Sequence, residues 1–202
     1  MRLIGMLDSP YVRRAAISMR LLGLDFEHEP VSVFRTYEQF RSINPAVKAP
    51  TLICDNGVVL MDSTLIVDYA EALAGRSLMP TALEVRQRAL RTIGLALAAC
   101  EKAVQNVYEH NIRPAEKIHQ PWLDRVNEQC ASAFAMLEEE ISRQSMPIDE
   151  ARLDQAGLTA AVVWTFAQAM LPGKINPANH PRLHAYTKLV EDFPPFRAMP
   201  HA

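Results

Sequence analysis

The stretch Asn44-Pro45-Ala46-Val47-Lys48-Ala49-Pro50-Thr51-Leu52 decides how the first half of this chain folds. Pro50 stands directly before an apolar, β-branched run, and a proline has no N–H to donate to a sheet. It therefore belongs at the first residue of a strand or at a sheet edge. A cis bond between Ala49 and Pro50 would fix the turn and let the Ala49 backbone pair with a ligand, and at this point both isomers are open. The stretch predicts a peptide-binding edge.

The segments around this stretch predict alternating strands and helices. Apolar residues recur at helical spacing from Val12 to Leu22 and stop at Gly23, a residue that commonly ends helices. Asn56-Gly57 favours a tight hairpin, and Ser63 is placed to cap the helix that follows it. The predicted order is strand, helix, strand, short helix, hairpin and helix. The predicted strands are residues 3–6, 26–33, 51–54 and 58–61, and the short helix is residues 37–43.

The second half of the chain has only helical patterns. From residue 82 onward apolar residues recur every three or four positions, which predicts two long amphipathic helices packed nearly antiparallel. A third helix is expected to be capped by Thr159, and a fourth to begin at Pro181. The segment 75–81, which contains Pro80, is the expected connection between domains. We therefore predict an α/β domain over residues 1–78 and an all-helical bundle over residues 83–202.

Composition and charge exclude several classes of function. The chain has 202 residues, of which 49% are hydrophobic and 22% charged, as is usual for a globular protein. Residues 1–78 carry eight Lys and Arg against nine Asp and Glu, and the remainder carries thirteen against fourteen, so neither half has the positive excess of a nucleic-acid-binding or membrane-binding protein. The amino terminus lacks a signal-peptide pattern and no apolar run has membrane-spanning length, so we expect a cytoplasmic protein.

The three cysteines indicate neither a metal site nor a redox motif. Cys54, Cys100 and Cys130 are odd in number and widely separated, each lies among apolar residues, and no CxxC pair is present. Histidines do not accompany them at metal-ligand spacing. Buried structural thiols are expected, and no metal.

Four pieces of the sequence, in this order, give the chain a resemblance to a known superfamily. They are Ser9-Pro10-Tyr11-Val12-Arg13 after the first strand, the stretch 44–52, the Asp62-Ser63 pair at a helix start, and a late helix with a Ser/Thr cap. Together they resemble the soluble glutathione transferases over nearly the whole length. The resemblance implies a thioredoxin-like amino-terminal domain, an all-helical carboxy-terminal domain, glutathione as co-substrate and a homodimer, with the helix faces around residues 65–73 and 90–97 as the expected contact.

The resemblance also implies roles for individual residues. Ser9 stands where this superfamily keeps its Ser, Tyr or Cys, and there its hydroxyl would stabilise the glutathione thiolate, although Ser at this position is equally suited to capping the helix. Ala49 and Pro50 would bind the tripeptide through the main chain. Asp62 and Ser63 would hold the γ-glutamyl end, with helix capping as the alternative role. The candidates for the glycyl carboxylate are Lys48 and Arg35, and for each of them a solvated surface charge is the alternative.

The implied pocket for the second substrate lies between the first-domain site and the early helices of the bundle. It would involve Tyr11 and the end of the first long helix, where Gln105, Tyr108, Asn111, Ile112 and Arg113 precede Pro114. The family commonly has an Asp three residues after the cap of the central bundle helix, where it makes a reciprocal cap. Thr159 departs from this pattern, because it is followed by Ala160, Ala161 and Val162.

The sequence points to a serine-type transferase that adds the thiolate to a small electrophile, as in detoxification. Two alternatives from other classes remain. One is a non-catalytic interaction protein on the same fold, like the stringent-starvation regulators, which the intact Ser9, Pro50 and Asp62-Ser63 disfavour. The other is a glutathione-dependent isomerase or a reductive dehalogenase of the superfamily.

Overall fold

The structure is a computed structural model that describes residues 1–144 and 146–202. It divides the chain into two compact units, residues 1–78 with 192–202, and residues 79–191. The elements in chain order are β1 (Arg2–Ile4), α1 (Pro10–Leu21), β2 (Glu27–Glu29), α2 (Tyr37–Ile43), β3 (Thr51–Ile53), β4 (Val59–Met61), α3 (Ser63–Ala74), α4 (Leu83–Asn111), α5 (Gln120–Ser142), α6 (Gln155–Met170), α7 (Pro181–Glu191) and α8 (Pro194–Arg197). Short 3-10 turns lie at Ala115–Lys117, Glu150–Arg152 and Pro177–Asn179.

The first unit is built on a mixed sheet in the order β2-β1-β3-β4. β1 pairs with β2 in parallel and with β3 antiparallel, with Ile4 opposite Thr51 in the second pairing. β3 and β4 form the hairpin predicted from Asn56-Gly57. Leu3, Ile4 and Leu52 on the central strands are fully buried. The predicted α/β, thioredoxin-like domain is confirmed, and helix α2 has the predicted bounds.

Two details of the first unit differ from the sequence prediction. The second strand ends at Glu29 rather than at residue 33, because Pro30 has no N–H for the ladder and the Val31 N–H turns back to the Glu29 carbonyl at 2.9 Å. The residue that caps α3 is Asp62, whose Oδ1 accepts from the Thr64 N–H at 2.9 Å. Ser63 is the first residue inside the helix and not its cap.

The carboxy-terminal segment 192–202 packs with the first unit, whereas the sequence prediction gave it to the helical domain. Buried Arg13 on α1 donates from Nε to the Met199 carbonyl at 2.7 Å. The same guanidinium lies 5.5 Å from the centroid of the buried Phe196 ring on α8, a cation–π distance. This segment therefore contributes to the first unit's core.

The second unit is the predicted all-helical bundle. α4 packs against α5 and α6, and α7 packs against α6 and α5. α6 is buried along most of its length, which explains why its sequence is apolar on every side. The three cysteines of the chain are free and buried, as expected. Within the described ranges no helix is long and apolar enough to cross a membrane.

The predicted cap of α6 is wrong. The helix begins at Gln155, and the Oδ1 of Asp154 accepts from the Gly157 N–H at 2.8 Å. Thr159 lies one turn further along, where its hydroxyl donates to the Gln155 carbonyl at 2.7 Å. A cap position was assigned to the wrong residue because Asp and Thr both serve as caps and the apolar pattern does not mark the first turn.

Candidate functional site

Ser9 caps helix α1 at the end of the loop that follows β1. The Ser9 backbone is extended, and Pro10 occupies the first helical position. The Ser9 Oγ accepts from the Val12 N–H at 3.4 Å. Because the oxygen is the acceptor in that bond, the hydroxyl hydrogen is available to donate elsewhere. The half-buried hydroxyl thus lies at the positive end of the α1 dipole, which favours an anion.

Gly5 brings the first turn of α1 next to the loop that precedes β3. Its φ is +140°, and a Cβ at this position would lie 2.6 Å from Val12 Cγ2 and 3.4 Å from Ala49 Cβ. No side chain fits at that distance from Val12, so a glycine is required here. The Gly5 carbonyl also lies 2.8 Å from His28 Nε2 on β2. The first turn of the helix that Ser9 caps and Ala49 therefore both lie next to the Gly5 backbone.

The loop that carries Ala49 is held by side-chain hydrogen bonds at both ends. Buried Asn44 accepts from the Ala46 N–H at 3.0 Å, and its Nδ2 donates to Thr51 Oγ1 at 2.8 Å. The Thr51 hydroxyl in turn donates to the Lys48 carbonyl at 2.7 Å. The peptide bond between Ala49 and Pro50 is cis. These contacts fix the path of the backbone that the sequence suggests for peptide pairing.

Arg14 links α1 to the first turn of α3. Its Nη1 donates to Ser63 Oγ and to Thr64 Oγ1, both at 3.0 Å. Arg14 is 3% exposed and Ser63 is 2% exposed, so these bonds are shielded from water. Since the Ser63 oxygen accepts from Arg14, its hydrogen is directed elsewhere. Asp62 is the cap and has a positive φ of 73°, an uncommon conformation for a residue with a side chain.

The other predicted contacts of the tripeptide lie on exposed loop positions. Lys48 is exposed in the loop that carries Ala49. Arg35 is exposed just before α2, and its N–H donates to Ser32 Oγ at 3.1 Å. The structure brings Ser9 and Ala49 together around Gly5 and connects α1 to Ser63 through Arg14. It does not give Arg35 a contact with any of them.

The residues predicted for the second substrate are divided between the two units. Tyr11 is half-buried on α1 in the first unit. Tyr108 and Asn111 are exposed in the last turn of α4 in the second unit. Arg113 follows α4 and is paired with Glu109, with Nε–Oε2 and Nη2–Oε1 distances of 2.6 and 2.9 Å. These assignments stay predictions.

Three residues build this region: Gly5, Arg14 and Asn44. Sequence reasoning gave no role to Gly5 or Asn44, and for Arg14 it considered a contribution to the local positive potential, with packing or a surface ion pair as the favoured alternative. Asn44 carried a usable signal, because an Asn directly before a Pro is typical of a turn in which the side chain accepts from the backbone two residues on. The contacts of Gly5 and Arg14 join residues far apart in sequence, so local pattern gives no sign of them. No group of three or more His, Cys, Asp or Glu side chains suited to a metal ion occurs in the part of the chain that the structure describes.

Comparison with known proteins matches these features to one family. Residues 3–78 match the family of glutathione S-transferase amino-terminal domains, and that range includes Ser9, the stretch 44–52 and Asp62-Ser63. A solved glutathione transferase family member from Pseudomonas fluorescens Pf-5, with bound S-(propanoic acid)-glutathione, is 27% identical with a TM-score of 0.80, over 98% of both chains. Residues 3–78 therefore match a glutathione S-transferase amino-terminal domain, and the chain as a whole is similar to solved glutathione transferases.

Two further proteins are similar to this chain over most of its length. A glutathione S-transferase from Methylobacterium radiotolerans, in complex with glutathione sulfonate, shares the fold with a TM-score of 0.88 at 23% identity, over 100% of this chain and 95% of the other. The uncharacterized GST-like protein YibF of Escherichia coli is 24% identical over 174 residues, 86% of each chain.

Proposed function

We propose that this protein is a glutathione transferase that binds glutathione on its first unit and adds the thiolate to a small electrophile. One observation carries the proposal. Helix α1 is connected to both other parts of the suggested tripeptide site within the first unit, because its Val12 borders Gly5 as Ala49 does, and its Arg14 donates to Ser63 Oγ. The glutathione derivatives bound to the Pseudomonas fluorescens and Methylobacterium radiotolerans proteins support the same ligand class.

The proposed chemistry is stabilisation of a thiolate by Ser9. The thiolate is the nucleophile, and a free cysteine thiol with a pKa of about 8.5 is mostly protonated at neutral pH. The Ser9 hydrogen donates to the sulfur while its oxygen accepts from Val12, and the positive end of α1 adds electrostatic stabilisation. Ser9 does not ionise and forms no covalent bond. The protein lowers the pKa of the bound thiol and orients it towards the electrophile.

The remaining parts of the tripeptide are assigned to the other two elements. The Ala49 backbone pairs with the peptide main chain in the manner of an added strand, beside the cis bond to Pro50. The γ-glutamyl carboxylate binds N–H groups at the start of α3 and the Ser63 hydroxyl, and the Asp62 carboxylate attracts its ammonium. Arg14 positions Ser63 through its hydrogen bond to Ser63 Oγ. Lys48 is the proposed partner of the glycyl carboxylate, with Arg35 a weaker candidate.

A second substrate and a second copy of the chain complete the proposal. Tyr11, Tyr108, Asn111 and Arg113 are proposed to line the electrophile's pocket, whose apolar and polar side chains would suit a largely apolar molecule. Exposed leucines support self-association. Leu65 and Leu73 on α3 are 61% and 50% exposed, which is unusual for large apolar side chains on one helix face.

The test is a glutathione titration followed by a conjugation assay with 1-chloro-2,4-dinitrobenzene. Wild type is expected to bind glutathione, and Ser9→Ala to retain binding but lose rate, with the pH profile of kcat/KM shifted upward because the bound thiol loses its hydrogen bond. Ser42→Ala, on exposed α2, is the control and should behave as wild type. No binding at millimolar glutathione would refute the proposal. An unchanged profile in Ser9→Ala would remove Ser9 from catalysis.

A further inference from the structure

A cluster of polar side chains in the helical unit surrounds Lys174, just after α6. Its Nζ donates to Asn106 Oδ1 at 3.2 Å and lies 3.3 Å from His110 Nε2. Asn106, on α4, is 1% exposed. Both partners of the ammonium are uncharged amide or imidazole groups, so no carboxylate neutralises Lys174 through these contacts.

The hydrogen-bond roles in this cluster are determined by the chemistry of its members. His110 Nδ1 lies 2.8 Å from the Asn106 carbonyl, which only accepts, so Nδ1 carries the hydrogen and Nε2 accepts from Lys174. An ammonium has three N–H donors, and the cluster uses two of them. Asn127 on α5 accepts at Oδ1 from Asn106 Nδ2, which leaves its own amide N–H groups to donate to another group.

Lys174, Asn106 and Asn127 line a cavity of about 500 Å³ among α4, α5 and the segment after α6. Leu171, Ile175 and Ala131 provide its apolar surface, and Glu128 adds one carboxylate. Glu128 is exposed and forms no ion pair within residues 1–144 and 146–202, so it does not neutralise Lys174. A cavity of this size and mixed lining is in the range of small-molecule sites.

The remaining polar group on the lining carries no charge. Cys130 is 2% exposed, and its thiol lies 3.8 Å from the Ala99 carbonyl as a weak donor. Burial raises the pKa of this thiol to about 11, although the charge of Lys174 opposes the rise. A neutral thiol leaves one cation and one carboxylate on the same cavity, separated by amide donors and apolar surface.

We propose that this cavity binds a small zwitterion of the α-amino-acid class with an apolar side chain. Its carboxylate binds Lys174 and the Asn127 amide, its ammonium binds Glu128, and its side chain packs on Leu171 and Ile175. Lys174 and Glu128 are both exposed on this cavity, so a molecule with both charges can contact the two groups at once, whereas a simple carboxylate or amine contacts one and faces a like charge at the other. The site is independent of the proposed glutathione site because every group in it belongs to the second unit.

The experiment is isothermal titration of the full chain with three matched probes. L-leucine carries both charges, 4-methylpentanoate lacks the ammonium, and 3-methylbutylamine lacks the carboxylate. L-leucine is expected to bind at least about ten-fold more tightly than either analogue, the change expected when one charged contact is lost. Absence of leucine binding at millimolar concentration, or equal binding of 4-methylpentanoate, overturns the proposal.

Variants assign the two charges. Lys174→Met and Glu128→Gln should each weaken leucine binding about ten-fold or more, while Lys174→Arg should retain most of it. The controls Lys188→Met on α7 and Glu84→Gln on α4 change exposed charges away from the cavity and should leave the affinity unchanged. Glutathione affinity, measured on the same samples, should be the same in Lys174→Met as in wild type, so that failure here leaves the transferase proposal intact. A Lys174→Met protein that folds and binds leucine normally refutes the site.

Discussion

Arg14→Met tests whether α1 holds the start of α3 in place. Arg14 is 3% exposed, and its Nη1 donates to both Ser63 Oγ and Thr64 Oγ1 at 3.0 Å. Methionine has an unbranched apolar side chain, like the aliphatic part of arginine, but it lacks the guanidinium. The substitution therefore removes both hydrogen bonds and leaves the buried Ser63 hydroxyl without this donor.

The loss of stability follows from the character of these bonds. A hydrogen bond from a charged donor contributes about 1.5–3 kcal/mol, so the two bonds together correspond to a loss of about 3 kcal/mol in the free energy of unfolding before desolvation is considered. For a chain of this size, about 3 kcal/mol lowers the Tm by about 6–12 °C. The desolvation of a buried charge partly offsets this loss, because removal of the guanidinium also removes that cost.

The measurements are a thermal melt and a glutathione titration on the same protein. Arg20→Met is the control, because Arg20 lies on the same helix but is exposed, with its guanidinium 4.9 Å from the Phe26 ring centroid. It should lower the unfolding free energy by less than about 1 kcal/mol. If the proposed glutathione site is right, Arg14→Met also weakens glutathione binding, because Ser63 loses its orientation. A Tm equal to that of Arg20→Met would refute the structural reasoning.

Four further substitutions at three sites have expected outcomes from burial and spacing, each measured by chemical denaturation. Gly5→Ala should cost about 1–3 kcal/mol, since its Cβ would overlap Val12 at 2.6 Å. Gly157→Ala should also destabilise, since its Cβ would lie 2.0 Å from the Tyr186 hydroxyl, and Tyr186→Phe should restore part of the loss. Burial raises the pKa of Asp154, so the folded state favours the protonated carboxyl. Wild-type stability should therefore fall relative to Asp154→Asn as pH rises from the ordinary carboxyl pKa through the raised one, and the difference should no longer change with pH below that range. A constant difference between these two proteins across that range would contradict the assigned burial.

Much of the first unit could be predicted from the sequence because its signals are local. The Asn56-Gly57 pair identified the β3–β4 hairpin, Pro50 marked the first residue before a strand, and helix α2 begins and ends where its pattern does. In each case the deciding interaction joins residues only a few positions apart. Ser9 was also predicted as a cap from a local signal, because Pro10 follows it directly.

The start of α6 was mispredicted although its cap is a local contact, the hydrogen bond from the Gly157 N–H to Asp154 Oδ1. Gly157 occupies the third position after the cap Asp154, where a carboxylate would complete a reciprocal cap. The Tyr186 hydroxyl from α7 fills the space beside Gly157 and has no hydrogen-bond partner among the described residues. A side chain at residue 157 would clash with it. The apolar pattern around Thr159 does not mark the first turn of α6, so the cap was placed one turn too late.

Three consecutive buried residues of α1 explain why the tripeptide site can be precise without long strands. Val12 contacts the backbone beside Ala49, Arg13 binds the carboxy-terminal segment at Met199, and Arg14 binds the start of α3. Successive helical residues point about 100° apart, so adjacent positions reach different neighbours around the helix. The helix that Ser9 caps is thereby fixed from three directions. Geometry at the proposed sulfur site therefore depends on side chains outside the proposed ligand contacts, as preorganisation of a site requires.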